Sequence, residues 1–195
     1  MKIKRFINGS MLNNCYVLYQ KDSGACYIID PGFNPRRIEE FVGEHSLEPK
    51  GILLTHLHRD HTGASDVLRD ALDCSVFMHE DDAFIYRGKV DARIKDGDSF
   101  DLEGERLAVI HTPGHTQGSI CLYTEKSRAC FTGDTVFDTD LGRTDLAGGS
   151  EAEMRESVRK LDSLLGNDVY IWPGHEEGCS MKYVREKNQE FIALL

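Results

Sequence analysis

Thr55-His56-Leu57-His58-Arg59-Asp60-His61 follows directly on the apolar run Gly51-Ile52-Leu53-Leu54, so four metal-binding side chains leave the end of one buried strand within six positions. In an extended or turning segment side-chain direction repeats every two residues, which puts His56 and His58 on the same side, within reach of one ion. Asp60 and His61 are offset by the turn that starts the following helix and face a neighbouring position. Farther along the chain the same residue types recur after glycine at strand ends: His115 after Pro113-Gly114, Asp134 after Gly133 and His175 after Gly174. Imidazole and carboxylate together suit zinc and equally accept iron or manganese. Seven such side chains form the ligand set of a two-metal hydrolytic centre, which needs no serine nucleophile because metal binding lowers the pKa of water from about 15.7 to about 7.

Around this stretch the chain alternates short strands and helices. Strands are expected at Ile3 to Ile7, Cys15 to Tyr19 and Ala25 to Ile29, the last stopped by Asp30-Pro31-Gly32. Pro35 to Glu44 reads as a helix with Ile38, Phe41 and Val42 on one face, and Thr62 to Leu72 as another with Val67, Leu68, Ala71 and Leu72. A strand at Ser75 to Met78 precedes Glu80 to Lys95, a polar segment expected at the surface with a weak helical stretch from Asp81 to Tyr86. β character returns at Ser99 to Leu102, Leu107 to His111, Ser119 to Thr124 and Ala129 to Thr132. Ser150 and Glu153 form a capping box for a helix reaching Leu165, a strand follows at Val169 to Trp172, and Met181 to Leu195 is a closing helix. Two halves, each mostly strands and then helix, require a two-sheet sandwich covered by helices.

With 195 residues, 40% of them apolar, the chain is expected to fold as one domain, residues 1–195. A formal charge of −10 argues against nucleic acid, although cations held in one cleft would still draw a small anion. Met1 to Arg5 is basic but leads into no apolar run of signal-peptide length, and nothing approaches transmembrane length, so no membrane association is expected. The six cysteines include no Cys-x-x-Cys pair, and most sit in apolar stretches, which fits a reduced cytoplasmic setting.

The seven residues, with Thr132-Gly133-Asp134-Thr135 and Gly142-Arg143-Thr144-Asp145-Leu146, make the chain similar to the metallo-β-lactamase superfamily. Within it the chain resembles short, single-domain proteins of the glyoxalase II (hydroxyacylglutathione hydrolase) type. The resemblance implies an α/β fold, a four-layer αββα sandwich of two mixed β-sheets covered by helices. It further implies that His56, His58 and His115 hold one divalent ion, that Asp60, His61 and His175 hold a second, most simply both Zn2+, and that Asp134 bridges them. A hydroxide between the ions would attack the substrate carbonyl, with Asp60 and Asp134 as the catalytic carboxylates that orient it or carry its proton. Asp30 resembles the aspartate that supports the ligands from behind, and His111, at the end of the strand that leads to His115, is a candidate for a similar hydrogen bond.

A small acyl thioester, as an anionic acyl-thiol conjugate, is the expected substrate. The Gly-Arg-Thr-Asp run also occurs in persulfide dioxygenases of the superfamily, which would use one iron on His56, His115 and Asp134. A lactonase-like hydrolase is a further alternative, whereas zinc β-lactamases often carry cysteine where Asp134 falls. Larger glyoxalase II enzymes grip glutathione partly through basic residues of an added helical domain that 195 residues cannot contain. Arg143 is a candidate partner for a substrate carboxylate, with Asp145 an equally good internal partner, and Lys182, Tyr183, Arg185 and Lys187 are the candidates for a reduced version of that grip, a solvated helix face being their ordinary role. His45 and His79 lie in polar stretches and are expected to be solvated. Oligomeric state is not written in these residues.

Overall fold

Strands with continuous apolar runs must be covered on both faces, and β2 (Asn13–Tyr19) and β3 (Ala25–Ile29) are buried almost throughout. The computed structural model describes residues 1–195. The first sheet runs in spatial order β1 (Lys2–Asn8), β2, β3, β4 (Glu48–Leu54), β5 (Val76–His79) and β6 (Ala92–Ile94), antiparallel at first and parallel from β3 onward. The second runs β12 (Cys179–Ser180), β11 (Tyr170–Pro173), β10 (Ala129–Gly133), β9 (Ile120–Thr124), β8 (Glu105–His111) and β7 (Ser99–Leu102), with β10 and β11 its only parallel pair.

Side-chain alternation assigns each strand residue to a layer. Tyr16, Leu18, Ile29, Leu53, Val109, Leu122 and Phe131 fill the space between the sheets. Their neighbours Val17, Ile28, Ile52 and Leu54 face outward onto Ile38 and Val42 of α1 (Pro35–Glu44) and Leu68 of α3 (Ser65–Leu72). Cys121, Cys130 and Ile171 likewise meet α5 (Glu151–Leu164), α6 (Met181–Lys187) and α7 (Gln189–Leu194). The result is an αββα sandwich of two mixed sheets.

Several boundaries depart from expectation for local reasons. The helix expected over 62–72 begins only at Ser65, as α3, behind a separate turn of helix, α2 (Arg59–Thr62); between them the chain at Gly63 lies against the Gly32 carbonyl, where a Cβ would stand 2.5 Å from that oxygen. The closing helix breaks at Asn188, whose Oδ1 accepts the Phe191 N–H at 2.8 Å while its amide donates to the carbonyls of Phe137 and Asp140. β6 and β12 are short edge strands with too few residues to show a period. The helix α4 (Glu80–Ile85) stands within the segment expected at the surface, yet its Asp82 is fully buried. No helix is long and apolar enough to cross a membrane.

Topology places the site. β3 and β4 are parallel in the first sheet and β8, β10 and β11 share one direction in the second, and the segments after all five gather along one rim of the sandwich. The two sheets are stitched there by Asn14 N–H to the Gly174 carbonyl at 2.7 Å and Ile120 N–H to the Thr55 carbonyl at 2.9 Å.

Candidate metal centre

Asp30 follows β3, the His56–His61 stretch follows β4, His115 follows β8, Asp134 follows β10 and His175 follows β11. All seven candidate ligands converge. His58 Nδ1 lies 2.9 Å from His115 Nε2, and His56, His58 and His115 form one group of mutually close donors. Asp60, His61 and His175 form a second, with His175 Nε2 3.2 Å from both Asp60 Oδ2 and His61 Nε2. Asp134 lies between them, its Oδ1 3.3 Å from His61 Nε2 and its Oδ2 3.6 Å from His115 Nε2 and 3.5 Å from His175 Nε2. The backbone packs too tightly here for side chains: a Cβ on Gly174 would stand 2.2 Å from Asp134 Oδ1.

Hydrogen bonds behind the rings decide which nitrogens face inward. His61 Nδ1 donates to Asp30 Oδ2 at 3.0 Å, His115 Nδ1 to the Arg143 carbonyl at 2.8 Å and His175 Nδ1 to the Met11 carbonyl at 2.9 Å. Asp30 also accepts from the Thr55 N–H and hydroxyl, leaving the Thr55 oxygen free to accept from His56 Nδ1 at 3.1 Å. Each of these four rings therefore presents Nε2 to the centre.

Electrostatics divide the two groups. Burial, and then neighbouring imidazoles, hold His56 and His58 below the ordinary imidazole pKa, so both offer neutral lone pairs. Burial also works against a charge on His61 and His175, but Asp134 helped by Asp30 at His61, and Asp134 helped by Asp60 at His175, outweigh it. His61 is held well above the ordinary value, and His175 rises to about 9. Burial would raise Asp134, yet His61, His175 and His56 bring it well below the usual carboxylate range. In the metal-free protein these acids favour protons on His61 and His175, while Asp60 itself stays below the usual carboxylate range.

His175 binds its proton more tightly folded than unfolded, so its contribution is fully present below pH 6.5 and is lost as pH rises through about 9. The metal-free protein should show a falling Tm across that window, and metal affinity should rise across it because binding displaces the proton. A flat metal-free Tm from neutral pH to about 9 would contradict the assignment.

The sequence profile of the Metallo-beta-lactamase superfamily matches residues 9–175. The chain belongs to this superfamily. An uncharacterized protein of Aquifex aeolicus is 34% identical over 204 residues, covering 96% of each chain. The probable metallo-hydrolase YqgX of Bacillus subtilis is 31% identical, covering 90% of each. The hydroxyacylglutathione hydrolase of Francisella philomiragia is 33% identical over 90% of this chain and 68% of its own. Among solved structures, the BLEG-1 B3 metallo-beta-lactamase superposes with TM-score 0.88 at 29% identity, covering 96% of this chain and 98% of that one. TTHA1623 in a di-iron-bound form gives 0.84 at 28%, covering 95% and 98%. The chain is thus a metallo-hydrolase of the superfamily whose divalent-metal chemistry its His and Asp groups match.

Not every candidate reaches the rim. Lys182 and Tyr183 begin α6 beside Asn167 and Val169, at the end of β11 opposite to His175, because Tyr170 pairs with Ser180. Arg185 is committed elsewhere: it donates to Asp162 Oδ1 at 2.7 Å, to Asn167 Oδ1 and to the carbonyls of Asp162 and Leu165, so it closes the C-terminal end of α5. None of the three supplies an anion grip. Arg143 lies over the site by its backbone, but its guanidinium forms two bonds with Asp145, at 2.7 and 2.8 Å.

Among the remaining histidines, His79 departs from the solvated role expected of it: it is buried and stacks on His111 with ring centroids 3.9 Å apart and planes at 11°. His111 Nε2 donates to the Gln117 carbonyl at 2.8 Å, within the loop that carries His115. These two rings and Asp81 lie close together, but the in-plane lone pairs of parallel rings do not converge on one ion. His45 is half-buried against Phe41 and pairs with Asp22.

Asp82 was not legible as part of the site. Its carboxylate accepts the Leu57 N–H at 2.8 Å, the Gly118 N–H at 2.7 Å and the Thr116 hydroxyl at 2.8 Å, tying the His56–His58 loop of one sheet to the His115 loop of the other. In the sequence it is one of three acids in a first helical turn, where acids are ordinary. Only burial distinguishes it.

Proposed function

We propose that the chain is a binuclear metal-dependent hydrolase that cleaves small acyl thioesters. The observation carrying this is the pair of three-residue donor groups on either side of Asp134, whose oxygens lie within 3.6 Å of His115 in one group and of His61 and His175 in the other. A cation fits there on independent grounds, since His56 Nε2 is buried without a hydrogen-bond partner. Such an orphan costs about 1–3 kcal/mol, which coordination would relieve. His56, His58 and His115 would hold one ion and Asp60, His61 and His175 the other, with Asp134 common to both. Zn2+ suits these donors, and iron or manganese suit them as well; a relative of similar fold has been seen in a di-iron-bound form. Bound there, divalent ions supply an ionised water at neutral pH and polarise the substrate carbonyl.

The protein's own groups point to the leaving group. Asp60 and Asp134 both lie below the usual carboxylate range, so they accept or orient a proton and offer none to a departing group. A thiolate leaves without such help; an amide nitrogen does not. Hydrolysis then breaks the C–S bond, the oxygen of water joins the acyl carbon, and a proton of that water ends on the thiol. The Francisella hydroxyacylglutathione hydrolase, at 33% identity, supports the same chemistry. A persulfide dioxygenase would leave Asp60, His61 and His175 without a task, although they stand within 3.5 Å of one another. The six unpaired cysteines support a cytoplasmic setting, and a charge of −10 disfavours nucleic acid as a partner.

Metal analysis after anaerobic purification, joined to a panel of thioester, lactone, β-lactam and glutathione persulfide, tests this. Two metals per chain with thioester turnover are expected. One iron per chain with oxygen uptake on the persulfide would sink it.

A further inference from the structure

Beside His175 the rim opens into a cleft of about 680 Å3. One wall is apolar: Ile7, Met11 and Leu12 stand there 46%, 62% and 62% exposed, although burial is the usual fate of such side chains. The cleft is also lined by the acids Asp138, Glu176 and Glu177. Arg5 is the one lysine or arginine lining the cleft, and it is fully engaged. It donates to Asn14 Oδ1 at 2.8 Å, to the Glu176 carbonyl at 3.0 Å and through both Nη atoms to Glu177, which leaves Asp138 and Glu176 with no cation within ion-pair distance. Neither Lys182 nor Arg185 reaches this place, and Arg143 is paired with Asp145.

We propose that this cleft receives the thiol-side arm of the substrate as an uncharged, largely apolar group, and that Asp138 and Glu176 reject arms bearing carboxylates. The proposal rests on the assignment of thioester hydrolysis and reverses the anionic conjugate expected from the sequence. A cleft of about 680 Å3 exceeds what a two- or three-carbon acyl group fills, so the larger, thiol-side end belongs there. Cations bound at the centre attract the scissile carbonyl, but the walls act on the arm beyond it. A substrate carboxylate about 6 Å from one unpaired acid, at an effective dielectric of about 40, is disfavoured roughly tenfold. Apolar atoms of the arm gain contact with Met11 and Leu12 in exchange for water.

Two thioesters with the same acyl group separate the outcomes, one of N-acetylcysteamine and one of glutathione. The uncharged arm should have a kcat/KM at least about tenfold higher, and the Asp138→Asn, Glu176→Gln double variant should narrow that ratio by about tenfold. A preference for the glutathione thioester, or a ratio unmoved in the double variant, overturns the proposal. Calorimetric binding of the matching non-hydrolysable thioethers gives a readout without turnover. Tighter binding of the uncharged thioether supports the cleft assignment, and equal or weaker binding overturns it. A protein with two metals that turns over no thioester, yet prefers the uncharged thioether, would refute the hydrolase assignment and leave the character of the cleft standing.

Discussion

Replacing Asp134 by alanine should abolish turnover and lower bound metal from two ions per chain toward one or none. Loss of a partner that merely orients a ligand costs about 10–100-fold in metal affinity or activity, and a ligand common to both ions must cost more. The fold should survive the change. Asp134 follows β10 instead of packing in it, and its carboxylate is set against charged imidazoles instead of apolar side chains. Removing it leaves His61 and His175 without the acid that stabilises their protons, so their pKa values should fall in the metal-free protein. Metal content by mass spectrometry, together with imidazole titration by NMR in the metal-free state, checks both. An Asp134→Ala protein that keeps two ions and measurable turnover would refute the shared-ligand geometry.

Asp82→Ala should destabilise the protein and loosen the His56–His58–His115 side together. Truncation strands three donors, Leu57 N–H, Gly118 N–H and the Thr116 hydroxyl, and each buried orphan costs about 1–3 kcal/mol. Part of that is offset, because burial raises the pKa of Asp82 and its charge is itself costly to keep inside. A net loss of about 3 kcal/mol is expected, a large share of the roughly 5–15 kcal/mol that stabilises a domain. Metal affinity measured against a competing chelator should fall about 10–100-fold, as it does when a ligand's support is removed. Asn in place of Asp82 keeps one acceptor and should recover part of both. Urea unfolding gives the stability term and the chelator titration the affinity term. Unchanged metal affinity in a folded Asp82→Ala protein would show that Asp82 joins the loops without positioning their ligands.

The contrast between Asp134 and Asp82 marks where sequence reading stops. Asp134 is legible because it is tied to Gly133 at a strand end and belongs to a set of seven residues whose types and spacing converge on one chemistry. Asp82 has the same side chain, yet it sits among Glu80 and Asp81 in a turn where acids are common, and nothing local separates the buried one from its exposed neighbours. The histidines divide similarly. His79 lies in a polar stretch but ends β5, and only the approach of β8 from the other sheet brings His111 over its ring. Lys182, Tyr183 and Arg185 show the reverse case. They follow His175 closely in the chain, but β12 turns back on β11 and carries them to the far end of the sheet.

Residue order alone determined the layers of this protein and the donor set of its centre. Two-residue and 3.6-residue periods record which faces must be covered, and a metal-binding side chain keeps its chemistry wherever the chain takes it. Tertiary structure alone decided which groups face one another across the two sheets: Asp134 between His61 and His115, Asp82 between Leu57 and Gly118, and the bonds that spend the charge of Arg5 at the cleft wall. Those pairings depend on strand register and on how far burial removes a charge from water, and neither quantity is carried by any local stretch of residues.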